Sequence, residues 1–497
     1  MLAWTIYLSF LGTAVLMLLP RGNAPVARTV ALLAALGGFA IALIGTTQAG
    51  ADMNTFCDAD WVPDLGIHYH LAADGISLTL VLLTGVAAVT GILFSWNIEQ
   101  RAKEFFAFYL ALIGGVYGVF LSFDLFLLFV FYELAIIPKY FLIAIWGSTR
   151  KEYGAMKLAL YSFVGSAMVL VGIIAAYVVA GAKTMSLFEL AQYRFPEHFQ
   201  YWAFPLVFVG FAILAGLWPF HTWAPTGHVA APTAASMLLA GVVMKLGAYG
   251  AFRVAMTLFP LGAKAWQMPV AALAVTGIVY GAMVALTQRD FKFVIGYSSV
   301  SHMGFVLLGL MTLNDIGFSG AVLQMFSHGV IAGLLFAVVG RMVYDRTHTR
   351  ELSALEGMNL SQALPFAAVT FVIASVASMG LPGFSGFVAE LQVLIGAWHA
   401  FPTLAVLAGL GILVGVAYTL RVLQKAFFGE TTEGASASAP RPLPEALGRI
   451  SIPERIGAVI LIGATLAIGL YPRLLLDLIG PSFNSPLFEG LRKAGAF

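Results

Sequence analysis

Apolar runs of about twenty residues, separated by short polar stretches, recur from one end of this sequence to the other. That is the length needed to cross a ~30 Å hydrocarbon layer as a helix. Turn residues, charges and apolar length together predict spans near 2–20, 27–48, 71–96, 104–122, 124–146, 154–180, 203–222, 234–257, 267–287, 294–313, 318–344, 364–399, 402–428 and 454–476. Fourteen crossings place both termini on one side. The first run, MLAWTIYLSFLGTAVLMLLP, lacks a basic stretch and is followed by Arg21, so it reads as a retained span rather than a cleaved leader. SASAPRPLPEALGRISIPER, within an inner linker at 429–453, is the Ser/Pro-rich connection, with room for a surface helix between Pro444 and Ile452. The pattern predicts a single all-α polytopic membrane domain over 1–497.

Two spans break the apolar pattern. LAGLWPFHTWAPTGHVAAPTAAS carries Pro219, Pro225 and Pro232, while 364–399 is too long for a straight crossing and contains MGLPGFSGF. Proline removes a backbone donor and clashes with the preceding turn, so both segments are expected to be discontinuous. Carbonyls freed inside a membrane need partners, which places such breaks where protein or water lines a cavity. The breaks fall five spans apart, as in transporters built from inverted repeats of five helices. Two ordinary proline kinks are the alternative, and no residue-by-residue repeat is visible.

Composition agrees with the spans: 60% of residues are hydrophobic, 10% are charged, and mean hydropathy is +0.91. A net charge of +2, with basic residues scattered among loops, gives no nucleic-acid face. Of the 26 Lys and Arg residues, seventeen fall on the side reached after the first span and seven on the other, with Lys139 and Lys245 inside spans. The positive-inside rule then puts both termini outside. The acidic loop 49–70, with Asp52, Asp58, Asp60 and Asp64 and no Lys or Arg, agrees. The lone Cys57 excludes an internal disulfide, and no CxxC pair is present to hold an iron–sulfur cluster, so any electrons flow elsewhere. No nucleotide fingerprint, metal-ligand cluster or nucleophile triad is present in the pattern.

The chemistry lies in charges that the membrane should reject. LFVFYELAIIPKYF, residues 128–141, places Glu133 near the middle of its span and Lys139 six residues after it, about 9 Å along the helix and roughly 240° round it, so the two do not share a face of a straight helix. Lys245, in MLLAGVVMKLGAYG, falls almost at the middle of 234–257. Glu390 follows the second break, and His302 and His328 sit in YSSVSHMGFV and LQMFSHGVIAG. A charge at the bilayer centre costs roughly 2.5–3.5 kcal/mol on insertion scales, so such residues demand a function. Glu133 and Lys245 as a static ion pair, and the two histidines as hydrogen-bonded core residues, are the structural alternatives. Together, two acids, a base and two imidazoles supply the ingredients of a proton relay.

At these residues the sequence resembles the subunit M (chain 4) family of antiporter-like membrane subunits in proton-pumping NADH:quinone oxidoreductase, respiratory complex I. That family is related to Mrp-type cation/proton antiporters. The matching stretches are LFVFYELAIIPKYFLIAIWG, PFHTWAP…HVAAPTAASMLLAGVVMKLGAYG, YSSVSHMGF, HGVIAGLLF and LPGFSGFVAE, in order across most of 70–430. The resemblance implies inverted repeats at about 104–257 and 267–428, with discontinuous helices 7 and 12. It also implies roles: Glu133 as the fifth-span glutamate, Lys245 as the central eighth-span lysine, Glu390 as the acid of the broken twelfth span, and His302 and His328 as polar positions along the connecting axis. One position departs from the pattern. The family's seventh-span lysine, partner of the fifth-span glutamate, is absent from FVGFAILAGLWPFH, where Leu214 or Ala215 stands near that place. Lys139 is the candidate replacement; snorkelling to lipid phosphate is its alternative.

The resemblance further implies that NADH, FMN, iron–sulfur clusters and quinone belong to partner subunits, with no cofactor in this chain. Other complex I membrane subunits of the L and N type, the lipid bilayer and protons are the expected partners, in a bacterial inner membrane with periplasmic termini. Two rival functions share these residues: an Mrp-type sodium/proton antiporter subunit, and a non-pumping bridging subunit.

Overall fold

The computed structural model describes residues 1–20, 22–50, 52–429 and 447–495. Among them, twelve helices are long and apolar enough to cross a membrane. The crossing elements are α1 Ala3–Leu18, α2 Ala24–Ala49, α3 Gly75–Phe94, α4 Ala102–Leu121, α5 Leu125–Trp146, α6 Lys151–Val179, α7 Glu197–Ala230, α8 Thr233–Met256, α9 Gln267–Thr287, α10 Phe291–Met311, α11 Asp315–Thr347, the paired α12 halves Pro365–Ser378 and Ser385–Ala400, α13 Pro402–Phe427 and α14 Ile452–Leu470. The most apolar windows of α8 and α11 are wholly buried inside the molecule, whereas only a third of those in α2, α13 and α14 is. A lipid-facing helix needs only apolar side chains. An enclosed one can hold charge at a position where protein supplies the partners.

Both expected discontinuities are present. The first half of α7 ends at Ala215 on Gly216, whose φ of 86° closes the turn; a short 3₁₀ segment follows, and the helix resumes at Trp223. Pro225 sits in the first turn of that second half, where a missing amide proton breaks no helical bond. In α12 the break spans 379–384, with Gly380 and Gly383 both at positive φ. Glu390 follows on the second half.

Three features depart from the predicted pattern. The loop expected at 49–70 holds an antiparallel hairpin, β1 Asn54–Val62 and β2 Ile67–Ala73. Its second strand takes the start of the predicted third span, because Asp74 caps α3 by accepting the Ser77 amide and so fixes where the helix begins. The last span is shorter than 454–476: α14 stops at Leu470 before Pro472, and a further helix, α15 Arg473–Ser482, turns back so that Leu478 lies against Gly75 at the start of α3. Of the surface helix expected between Pro444 and Ile452, residues 444–446 lie outside the described residues, and 447–451 are not helical.

The hairpin is docked through His70. Its carbonyl accepts the Phe123 amide at 3.0 Å, its Nε2 meets the Thr55 hydroxyl at 3.2 Å, and its ring lies 5.5 Å from that of Phe188. Burial lowers the His70 pKa by disfavouring the imidazolium, and this outweighs the attraction of Asp58; neighbouring His68 adds to the lowering. A folded-state pKa below the unfolded value makes the contribution of His70 complete above the ordinary value near 6.5, and lost as the pH falls below it. Hydrogen exchange at the Phe123 amide, corrected for its intrinsic pH dependence, is therefore expected to quicken a few-fold on going from pH 7.5 to 5.5. His70→Gln should remove that response, and a response that persists would assign it to another group.

Candidate functional site

The core of the molecule contains a row of polar side chains held by α8, α10, α11 and α12. Lys245 is fully buried, and its Nζ donates to the Ala240 carbonyl and meets His328 Nδ1 at 2.7 Å. Local backbone makes this geometry. Lys245 lies in a short α-helical turn set between two π-helical segments of α8, Leu239–Val243 and Ala251–Met256, and Ala240 belongs to the first of them. Such wide turns are concentrated at functional positions. Next to it, α8 and α11 cross backbone to backbone: a Cβ on Gly329 would fall 2.6 Å from the Gly241 carbonyl oxygen. Only glycine allows that approach, and it is what brings the lysine within reach of His328.

From His328 the row continues. The rings of His328 and His302 lie 5.5 Å apart, His302 Nδ1 meets Glu390 Oε1 at 2.9 Å, and Gln324 Nε2 donates to the same oxygen at 3.2 Å. Ser378, the last residue of the first α12 half, contacts His302 Nε2 at 3.3 Å. The break in α12 thus faces the row, with Ser378 on one side and Glu390 on the other. A small cavity of about 10 Å³ lies against His302, His328, Gln324, Ser327 and Glu390. Counted as room for water centres, that is the space of about one water. His328 Nε2 and Gln324 Oε1 are buried without a hydrogen-bond partner, so both remain available to such a water.

Lys245, His328, His302 and Glu390 are therefore brought together. Glu133 and Lys139 form a second centre between α5 and α6. Lys139 does not snorkel: it is 1% exposed, and its Nζ donates to the Ser162 hydroxyl at 3.1 Å. Glu133 is half-buried, with the Ser166 hydroxyl beside its carboxylate and its Oε1 otherwise unpartnered. The alternative of a static Glu133–Lys245 pair fails, because the partners of Lys245 are the Ala240 carbonyl and His328.

Several buried polar residues were not singled out from sequence. His228 and His221 are buried with all four ring nitrogens unpartnered; His228 packs on Phe336 at 5.0 Å. Both stand in the proline-rich stretch already noted for its break, and that was the available signal. Lys292 falls just before the predicted span 294–313, where hydropathy reads it as a loop charge. It lies in the first turn of α10, 3% exposed, donating to the Ala231 carbonyl at 2.8 Å and to Ser236 at 3.2 Å. Arg253, four residues inside the predicted end of the span 234–257, is fully buried against Asp74 at 2.6 Å.

Comparison with known proteins places this geometry. A family model described as the NADH:quinone oxidoreductase/Mrp antiporter transmembrane family matches residues 122–415. The chain is 37% identical over 496 residues to NADH-quinone oxidoreductase subunit M of Rhodobacter capsulatus, covering 96% of this chain and 94% of that one. It superposes on a chain of respiratory complex I from Thermus thermophilus with bound NADH at a TM-score of 0.87 and 30% identity, covering 99% of this chain and all of that one. A chain of the Mrp complex from Dietzia shares the fold at a TM-score of 0.85 and 22% identity, covering 100% of this chain and 98% of that one.

Proposed function

This chain belongs to the NADH:quinone oxidoreductase/Mrp antiporter membrane family, and on that premise we propose that its two buried centres carry and control the protons it translocates as a subunit M-type member of NADH:quinone oxidoreductase. The observation that carries this reading is the buried row Lys245, His328, His302 and Glu390. Each member is a side chain that can carry or accept a proton, and each neighbours the next.

The chain is a multi-pass membrane-arm subunit of a translocase complex. Its finer placement is part of the proposal: contact with antiporter-like subunits of the L and N type, a bacterial inner membrane, and both termini on the periplasmic side. NADH, FMN, iron–sulfur clusters and quinone are assigned to partner subunits. The single Cys57 does not fit a cluster, and no group of three His, Cys, Asp or Glu side chains is placed to hold a metal among the described residues.

The repeats at about 104–257 and 267–428 organise the path. Each holds five crossings, so the second begins on the opposite side of the membrane from the first. The broken helix is the fourth of each set, α7 in one and α12 in the other. A change delivered from a partner subunit alters the field at Glu133, Lys139 answers it as the mobile cation, and the proton held at Lys245 passes by His328 and His302 to Glu390 and the outside. Two unit charges 4 Å apart at an effective dielectric of 20 interact by about 4 kcal/mol. That is worth roughly three orders of magnitude in a proton-transfer equilibrium.

Lys139→Met, assayed in the intact complex in proteoliposomes, is expected to lower the number of protons moved per electron; an unchanged ratio would remove Lys139 from the mechanism. Replacing sodium by choline in the same assay separates the antiporter alternative. Full pumping without sodium assigns the proton as the transported ion, and loss of pumping would assign sodium.

A further inference from the structure

Lys139, on α5 with Glu133, has its Nζ received by the Ser162 hydroxyl of α6. About one turn before Leu214, α6 and α7 meet backbone to backbone at Gly165 and Gly210, where a Cβ on Gly165 would fall 2.5 Å from the Gly210 carbonyl oxygen and one on Gly210 would fall 2.8 Å from that of Gly165. Leu214 and Ala215 are themselves fully packed, 2% and 0% exposed.

On the neighbouring face of α6, Ser162 and Ser166 flank the Gly165 contact. Four residues apart on a helix, they lie one above the other with Cβ atoms roughly 5–6 Å apart. Both are enclosed, 2% and 4% exposed. Ser162 accepts from Lys139 Nζ at 3.1 Å, and the Ser166 hydroxyl, which donates to the Phe163 carbonyl at 3.2 Å, lies near the Glu133 carboxylate. The cation therefore rests on one hydroxyl of α6 and the acid lies near the next along the same face, with no ion pair between them among the described residues. Glu133 Oε1 has no hydrogen-bond partner and remains free to accept one.

We propose that Ser162 and Ser166 are positioning residues forming a two-rung hydroxyl ladder: Lys139 rests on Ser162 and moves one rung along α6 to reach Ser166 and Glu133. A hydroxyl both donates and accepts, so each rung stabilises the ammonium or the carboxylate without fixing either. The lysine's four-carbon stem spans such a shift while its α-carbon stays in place. The ladder gives the Glu133 field two settings, Lys139 remote and Lys139 in contact. The proposal rests on the reading of Lys139 as the cation that modulates Glu133.

The test is a double-mutant cycle in the intact complex, with protons per electron as the readout. Ser162→Ala and Ser166→Ala are each expected to lower the ratio by the same step as Lys139→Met, and neither should lower it further in the Lys139→Met background. If Lys139→Met lowers the ratio while both serine variants keep the wild-type value, the ladder is overturned and the role of Lys139 stands. A serine variant that costs the same in both backgrounds acts through packing, which also overturns the ladder. An unchanged ratio in Lys139→Met removes both. Ser162→Thr and Ser166→Thr, which keep the hydroxyl, are expected to pump as wild type, and a threonine variant that assembles but pumps as poorly as alanine would refute the hydroxyl's role.

Discussion

Lys245→Ala is expected to slow proton transfer through this subunit at least tenfold and to lower the proton-to-electron ratio of the complex by the subunit's whole share. Lys245 is the bridge between α8 and α11: its Nζ touches the Ala240 carbonyl on one side and His328 Nδ1 on the other, with no water-exposed surface. Alanine removes the ammonium that joins the Ala240 carbonyl to His328 and leaves a gap in its place. A tenfold loss corresponds to ~1.4 kcal/mol added to the barrier, a small figure beside the cost of moving a proton across an unbridged gap. Lys245→Met separates the charge from the space. It fills most of the void, so loss of pumping in both variants assigns the effect to the ammonium, and loss in alanine alone assigns it to packing. The measurement is protons counted per electron in proteoliposomes at matched NADH oxidation rate. A wild-type ratio in both variants would mean that the chain is a bridging scaffold.

The contrast between the two charged centres shows how much of this was legible in the sequence. The spans, the two breaks and the residues of the row follow from hydropathy and proline alone, because a membrane punishes polarity strongly enough that each exception stands out. That is why Lys245, Glu390, His302 and His328 were identifiable before their contacts were known. What one sequence could not give is the pairing between helices far apart in the chain. Lys245 and His328 are 83 residues apart and His302 and Glu390 are 88 apart. No periodicity links them; the glycine contact between α8 and α11 does. Lys139 illustrates the same limit. A rotation argument shows that it cannot easily touch Glu133 on its own helix, but only the position of Ser162 on α6 decides between a buried site and the lipid surface. Charges near span ends were the least legible. Arg253 and Lys292 sit within a turn or two of a predicted boundary, where hydropathy does not separate a loop charge from a buried one, and the structure encloses both.

Arg253 carries the largest expected effect on stability. Its guanidinium and the Asp74 carboxylate are both fully buried and 2.6 Å apart, and the Asp74 side chain also caps α3. Arg253 Nε and Nη1 have no hydrogen-bond acceptor, and the guanidinium instead lies over Phe123, Tyr249 and Phe488 at 5.2, 5.3 and 5.7 Å. The pair thus joins α8 to α3, to the link between α4 and α5, and to the C-terminal segment that carries Phe488. Removing one partner strands the other as an uncompensated buried charge, at a cost of about 3–5 kcal/mol. Asp74→Ala loses the helix cap as well, by typically ~1 kcal/mol, and should be the worst of the set. Arg253→Met should also lower the unfolding temperature of the purified complex and the yield of assembled subunit. In the double variant Asp74→Asn/Arg253→Met, asparagine keeps the cap and methionine keeps the contact with the rings, so most of the loss should be recovered. That recovery is the sign of a charge pair rather than of simple packing, because two independent packing defects would add. The pair shares no hydrogen bond with Lys245, His328, His302 or Glu390, so complexes that do assemble should move the normal number of protons per electron. A low ratio in the assembled double variant would instead place Arg253 and Asp74 on the proton path.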